Sequence, residues 1–117
     1  MSMFCYQCEQ AAKGASCTIT GVCGKDEATA KSLDLLLYVT NGISMYAHRA
    51  RKLGANDRDV DVFVIEALFT TVTNVNFDPE RIRGLVIKAV DVRNKAKLLY
   101  EDACAKAGKQ PEKLSGP

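Results

Sequence analysis

The stretch Asp57-Arg58-Asp59-Val60-Asp61-Val62-Phe63-Val64-Ile65-Glu66-Ala67-Leu68-Phe69-Thr70-Thr71-Val72-Thr73-Asn74-Val75 decides the fold class. Its first half is rich in β-branched and aromatic residues, and Asp59 to Val62 alternates polar with apolar as a half-buried strand does. Against this, Val60, Val64, Ala67, Leu68, Thr71, Val72 and Val75 keep helical spacing over about four turns. A lone strand here would also have no partner to pair with. A helix from Arg58 to about Val75 is therefore expected, with Asp57 as its N-cap.

The flanking segments read as helix more directly. Upstream, Asp26 is a candidate N-cap for a helix from about Glu27 to Leu53. Leu33, Leu36, Leu37, Thr40, Ile43, Ala47 and Ala50 fall on one face of it, and Leu35, Val39, Gly42, Tyr46 and Leu53 form a second stripe beside the first. So wide an apolar surface implies contact from two sides. The apolar phase runs unbroken through Thr40-Asn41-Gly42, which favours one helix over two, and Gly54 supplies the stop.

Downstream, Asp78 reads as N-cap, Pro79 as first helical residue and Glu80 as an acid at the positive helix end. Phe77 is placed to pack on Ile82 as a hydrophobic staple. Ile82, Leu85, Val86, Ala89, Val92, Ala96, Leu99 and Ala103 line one face, and Gly108 ends the helix. The expected fold is all-α: an antiparallel three-helix bundle with an N-terminal cysteine-rich loop. The 117 residues make one domain, with residues 1–25 as the loop, 26–108 as the bundle and 109–117 as a polar tail or linker.

Composition narrows the function. The 16 Lys and Arg nearly balance the 14 Asp and Glu, and no basic stripe carries interleaved aromatics, so nucleic acid is not an expected partner. The densest basic cluster, His48-Arg49-Ala50-Arg51-Lys52, suits a helix C-terminus. Neither a signal peptide nor a run of membrane-spanning length is visible, and a reducing cytoplasm is the expected setting. There is no phosphate loop and no Ser/His/Asp set, so no catalytic residue is assigned.

Four of the five cysteines fall within the first 23 residues, in the pattern C-x2-C-x8-C-x5-C: Cys5, Cys8, Cys17 and Cys23. In a reducing compartment such spacing points to metal binding or redox work before disulfides, and an odd total fits four ligands and one bystander. Four thiolates suit zinc, but the second pair is too widely spread for the usual zinc ribbons and knuckles. An iron–sulfur cluster is favoured, although spacing alone does not separate [4Fe-4S] from [2Fe-2S]. Thiolates on such a cluster carry net negative charge, which the backbone N–H groups near Gly14, Gly21 and Gly24 can screen. Lys13 and Lys25 are candidates to assist, though the default for each is a solvated lysine. Tyr6, beside two cysteines, is a candidate shield. Cys104 reads as a small buried apolar residue, and His48, the only histidine, as a helix-end surface residue.

Met3-Phe4-Cys5-Tyr6-Gln7-Cys8-Glu9-Gln10, Gly21-Val22-Cys23-Gly24-Lys25 and Thr73-Asn74-Val75-Asn76-Phe77-Asp78 resemble the N-terminal part of the hybrid cluster protein family, also called prismane protein or hydroxylamine reductase. The resemblance covers essentially the whole chain. It implies that Cys5, Cys8, Cys17 and Cys23 bind a cluster near the surface, and the short spacing resembles the [4Fe-4S] variant. Family members are several-fold longer, and the His, Glu and Cys ligands of their catalytic hybrid cluster have no counterpart here. The resemblance thus implies an electron-transfer domain, not catalytic alone, whose partners are a redox donor protein and the remaining domains or a chain carrying them. A structural four-cysteine module holding zinc or a cluster, and a free-standing ferredoxin-like carrier, are the competing readings.

Overall fold

The computed structural model describes residues 3–6, 11–21, 23–72 and 79–111. Three α-helices account for most of it: α1 Glu27–Lys52, α2 Arg58–Val72 and α3 Pro79–Ala107. The stretch that decides the fold class is helical. Val60, Phe63, Ala67 and Thr71 turn one face of it into the core, which offsets the weak helix propensity of β-branched residues. The expected extension to Val75, the Asp78 cap and the Phe77 staple lie outside the described residues.

The helix ends follow local chemistry. The Thr29 N–H donates to Asp26 Oδ1 at 2.8 Å, capping α1. The Asp57 carboxylate accepts from the N–H groups of Asp59 at 2.8 Å and Val60 at 3.4 Å, capping α2. At the far end of α1, Gly54 adopts φ 85°. Its N–H reaches the Arg51 carbonyl and that of Ala55 reaches Ala50, both at 3.0 Å, which makes a Schellman motif. Gly108 and Lys109 close α3 on the carbonyls of Ala105 and Cys104 in the same way.

The helices run up, down and up. Lys25, just before α1, reaches the Thr71 carbonyl at the end of α2. Lys95 of α3 pairs with Asp57 and Asp59 at the start of α2. Tyr46 of α1 meets Tyr100 of α3 with ring centroids 6.2 Å apart. All three helices pack on one another, around a core that includes Leu33, Leu36, Ile43, Val60, Phe63, Ile82, Leu85 and Ala89. Burying a side chain of the Phe63 class contributes about 1.5–3 kcal/mol. The buried hydroxyls of Thr40 and Thr71 donate to the carbonyls of Leu36 and Leu68, so neither is left unsatisfied.

Two side-chain expectations need correcting. Leu35, read as part of the second stripe of α1, is half exposed, because the stripe is wider than the two helices that cover it. On α2, Leu68 and Val72 are also exposed, and Phe63 takes the core position. The spacing was compatible with either face, since α2 is apolar on both. None of the described helices is long and apolar enough to cross a membrane.

Candidate metal centre

The N-terminal loop sits at the end of the bundle where α1 starts and α2 finishes. Cys5 and Cys17 form an isolated antiparallel bridge. The Cys5 N–H donates to the Cys17 carbonyl at 3.0 Å, and the Cys17 N–H donates back to Cys5 at 2.7 Å. Directly opposed residues of such a pair hold their Cβ atoms about 4.5–5.5 Å apart on one face. The bridge therefore presents two sulfurs side by side. Between them the chain reverses through a 3-10 turn at Ala12–Gly14, in which Lys13 and Gly14 both take positive φ. Met3 and Cys17 are buried against Ala30 of α1, with Cys5 and Ala12 packed alongside, which seats the loop on the bundle.

Each sulfur of the bridge receives a donor. The Ala12 N–H points at Cys17 Sγ, 3.3 Å away. The Lys25 ammonium lies 3.5 Å from Cys5 Sγ and 3.4 Å from the Thr71 carbonyl oxygen. Lys25 is only 5% exposed, so the solvated lysine expected from the sequence is not what the fold makes. Lys13 is exposed, as its default reading has it. An ammonium carried out of water needs negative charge or dipole around it. Here a helix-terminal carbonyl and a thiol sulfur stand on it.

Cys23 lies in the turn that leads into α1. The Gly21 N–H donates to the Lys25 carbonyl at 2.6 Å and the Gly24 N–H to Gly21 at 2.9 Å. A Cβ on Gly21 would lie 3.0 Å from Lys25 Cβ and 3.2 Å from Cys23 Sγ. A side chain at 21 would therefore be tight against Cys23 and Lys25, which would have to give by a few tenths of an ångström. Cys23 is exposed. Cys5, Cys17 and Cys23 thus share one lobe, and all are thiols not joined in a disulfide. Cys8 lies outside the described residues. Among those described, no three Cys, His, Asp or Glu side chains are gathered as a metal-holding group. Tyr6 is exposed and its ring lies tilted against that of Phe4, also exposed, with centroids 5.3 Å apart.

Electrostatics at the neighbouring helix start are ordinary for a cap. The hydrogen bonds from Thr29 hold the Asp26 carboxyl below the usual value of 3.8. At Asp57, desolvation pushes upward, but the Lys95 hydrogen bond and the Asp59 and Val60 N–H groups outweigh it, and the net shift is downward.

The opposite end of the bundle holds the fifth cysteine. Cys104 is buried beside Ala50 and Tyr100, with Tyr46, Leu53, Ala55 and Leu99 around it. His48 is exposed on α1. Both match their sequence readings. Lys25 is among the candidates to assist, but its burial is what sequence reasoning missed, and no periodicity could have found it, since that burial depends on a contact with residue 71.

The Prismane/CO dehydrogenase family model matches residues 3–115. A hydroxylamine reductase of Geobacter sulfurreducens is 51% identical over 119 residues, covering 100% of this chain and 22% of that protein. One from Rhodospirillum rubrum is 47% identical over 98% of this chain and 21% of its own length. One from Kosmotoga olearia is 56% identical over 81% of this chain and 17% of its own. The chain spans about a fifth of the length of the curated relatives it matches.

Proposed function

The chain belongs to the Prismane/CO dehydrogenase family, and from that premise we propose that it is the electron-transfer domain of a hydroxylamine reductase-like hybrid cluster protein. Cys5, Cys8, Cys17 and Cys23 hold one [4Fe-4S] cluster. When bound, the cluster supplies a one-electron couple set by its thiolates and the donors around them. The observation that carries the reading is the Cys5–Cys17 bridge, whose sulfurs receive the Ala12 N–H and the Lys25 ammonium. That donor set fits anionic, metal-bound sulfur and has no use around neutral apolar thiols. Cys23, exposed on its turn, leaves the lobe open to a docking redox protein.

The chain is not catalytic alone. Its recipient is a catalytic cluster held by domains beyond these residues, in the same polypeptide or in a partner chain. Hydroxylamine is the substrate class of that larger protein. An apolar stripe on α2 supports such a partner: Val62, Ile65, Phe69 and Val72 lie diametrically opposite the core face, and Ile65 and Phe69 are 68% and 64% exposed. Their spacing of three, four and three residues is that of a helix-packing seam. We assign this seam to the helices of the remaining domains, and the reducing cytoplasm to the site of action.

Anaerobic purification followed by spectroscopy tests the reading. A brown protein absorbing near roughly 400 nm, with an EPR signal appearing after one-electron reduction, is the expected result. A colourless, EPR-silent protein containing about one zinc per chain would establish the structural four-cysteine module instead.

A further inference from the structure

Among the described residues, Lys25 is the one buried cation that touches a candidate ligand. Its ammonium has two acceptors, the Thr71 carbonyl and Cys5 Sγ. Thr71 lies in the last turn of α2 as described, Arg58–Val72, toward the negative end of the helix dipole. The carbonyl fixes where the ammonium sits, and the sulfur receives its field. Gly21, where a Cβ would press on Lys25, lets its own backbone come close to that residue.

Resting on the cluster reading above, we infer that Lys25 is a positioning residue that sets the reduction potential of the centre through Cys5. Reduction adds one electron from the reductant and makes the four-thiolate site one unit more negative. No bond forms or breaks, and the ammonium keeps its proton. A fixed positive charge one sulfur away favours the reduced state. Across a partly buried gap this interaction exceeds a factor of ten in an equilibrium constant. The same contact ties the potential to the end of α2, so movement of that helix end relative to the loop alters the ease of reduction.

The test uses the 117-residue chain, reconstituted anaerobically with iron and sulfide and titrated with dithionite, as wild type, Lys25→Met and Lys25→Arg. Lys25→Met is expected to lower the midpoint potential by at least a tenfold shift in the reduction equilibrium, 59 mV for one electron. Lys25→Arg is expected to restore most of it. If Lys25→Met fails to hold iron, Lys25→Gln takes its place in the titration and is held to the same 59 mV expectation. Equal potentials in wild type and the neutral variant titrated, or loss of iron in both neutral variants with helicity intact, would overturn it. A wild-type chain that takes up no iron overturns the cluster reading itself, and the inference with it.

Discussion

Cys17 and Cys104 are buried to nearly the same degree, 5% and 2% exposed, at opposite ends of the bundle, yet their surroundings differ in kind. Cys17 sits on a backbone bridge opposite another cysteine, with an N–H aimed at its sulfur. Cys104 sits among alanine, leucine and tyrosine side chains. Burial alone says nothing about whether a thiol is a ligand or a small hydrophobe. The donors around the sulfur do, because they favour the thiolate and give no benefit to a packed thiol.

The comparison breaks most readily at Cys17. Cys17→Ser is expected to abolish iron and sulfide binding, measured on anaerobically reconstituted protein. Full iron content in that variant would leave the two cysteines chemically equivalent. Next in size is Gly21→Ala. Its new Cβ presses on Lys25 and the Cys23 sulfur, so iron occupancy should fall to a fraction of the parent's while the helical circular dichroism is kept. Unchanged occupancy would mean that the turn at residues 21–25 has room to shift.

Cys104→Ala sharpens the contrast from the other side. It removes one buried heavy atom, for about 1 kcal/mol of stability by urea denaturation, and should leave iron content untouched. The smallest effect is on pH dependence. Asp26 and Asp57 are both held below the ordinary carboxylate value of 3.8. What they contribute is present above 3.8 and lost as pH falls through the lowered native values. Lys95, raised above 10.5 by its hydrogen bonds to Asp57 and Asp59, contributes below 10.5 and loses this as pH rises through its raised value. Thermal melts of the apo chain should show both declines, and Asp57→Asn should weaken each. Melting curves for Asp57→Asn that match the parent across both ranges would assign the pH dependence to other groups.

Much of the fold was legible because helix signals are local. Asp26 and Asp57 cap where the sequence places them, and Gly54 and Gly108 stop α1 and α3 through the bonds their left-handed backbone permits. Which apolar face turns inward was less legible. α2 carries apolar residues on both sides, so spacing could not choose between Phe63 and Leu68; packing against α1 and α3 did. At the candidate site, the sequence supplied the cysteines and their resemblance, but not the pairing of Cys5 with Cys17 nor the burial of Lys25. Both depend on contacts between residues distant in the chain, 20 apart for Lys25 and Cys5 and 46 for Lys25 and Thr71.

Iron, acid-labile sulfide and zinc analysis of anaerobically prepared wild-type chain tests the central claim most directly. About four iron and four sulfide per chain is the predicted result for one cluster on the N-terminal cysteines. About one zinc per chain without sulfide would contradict it.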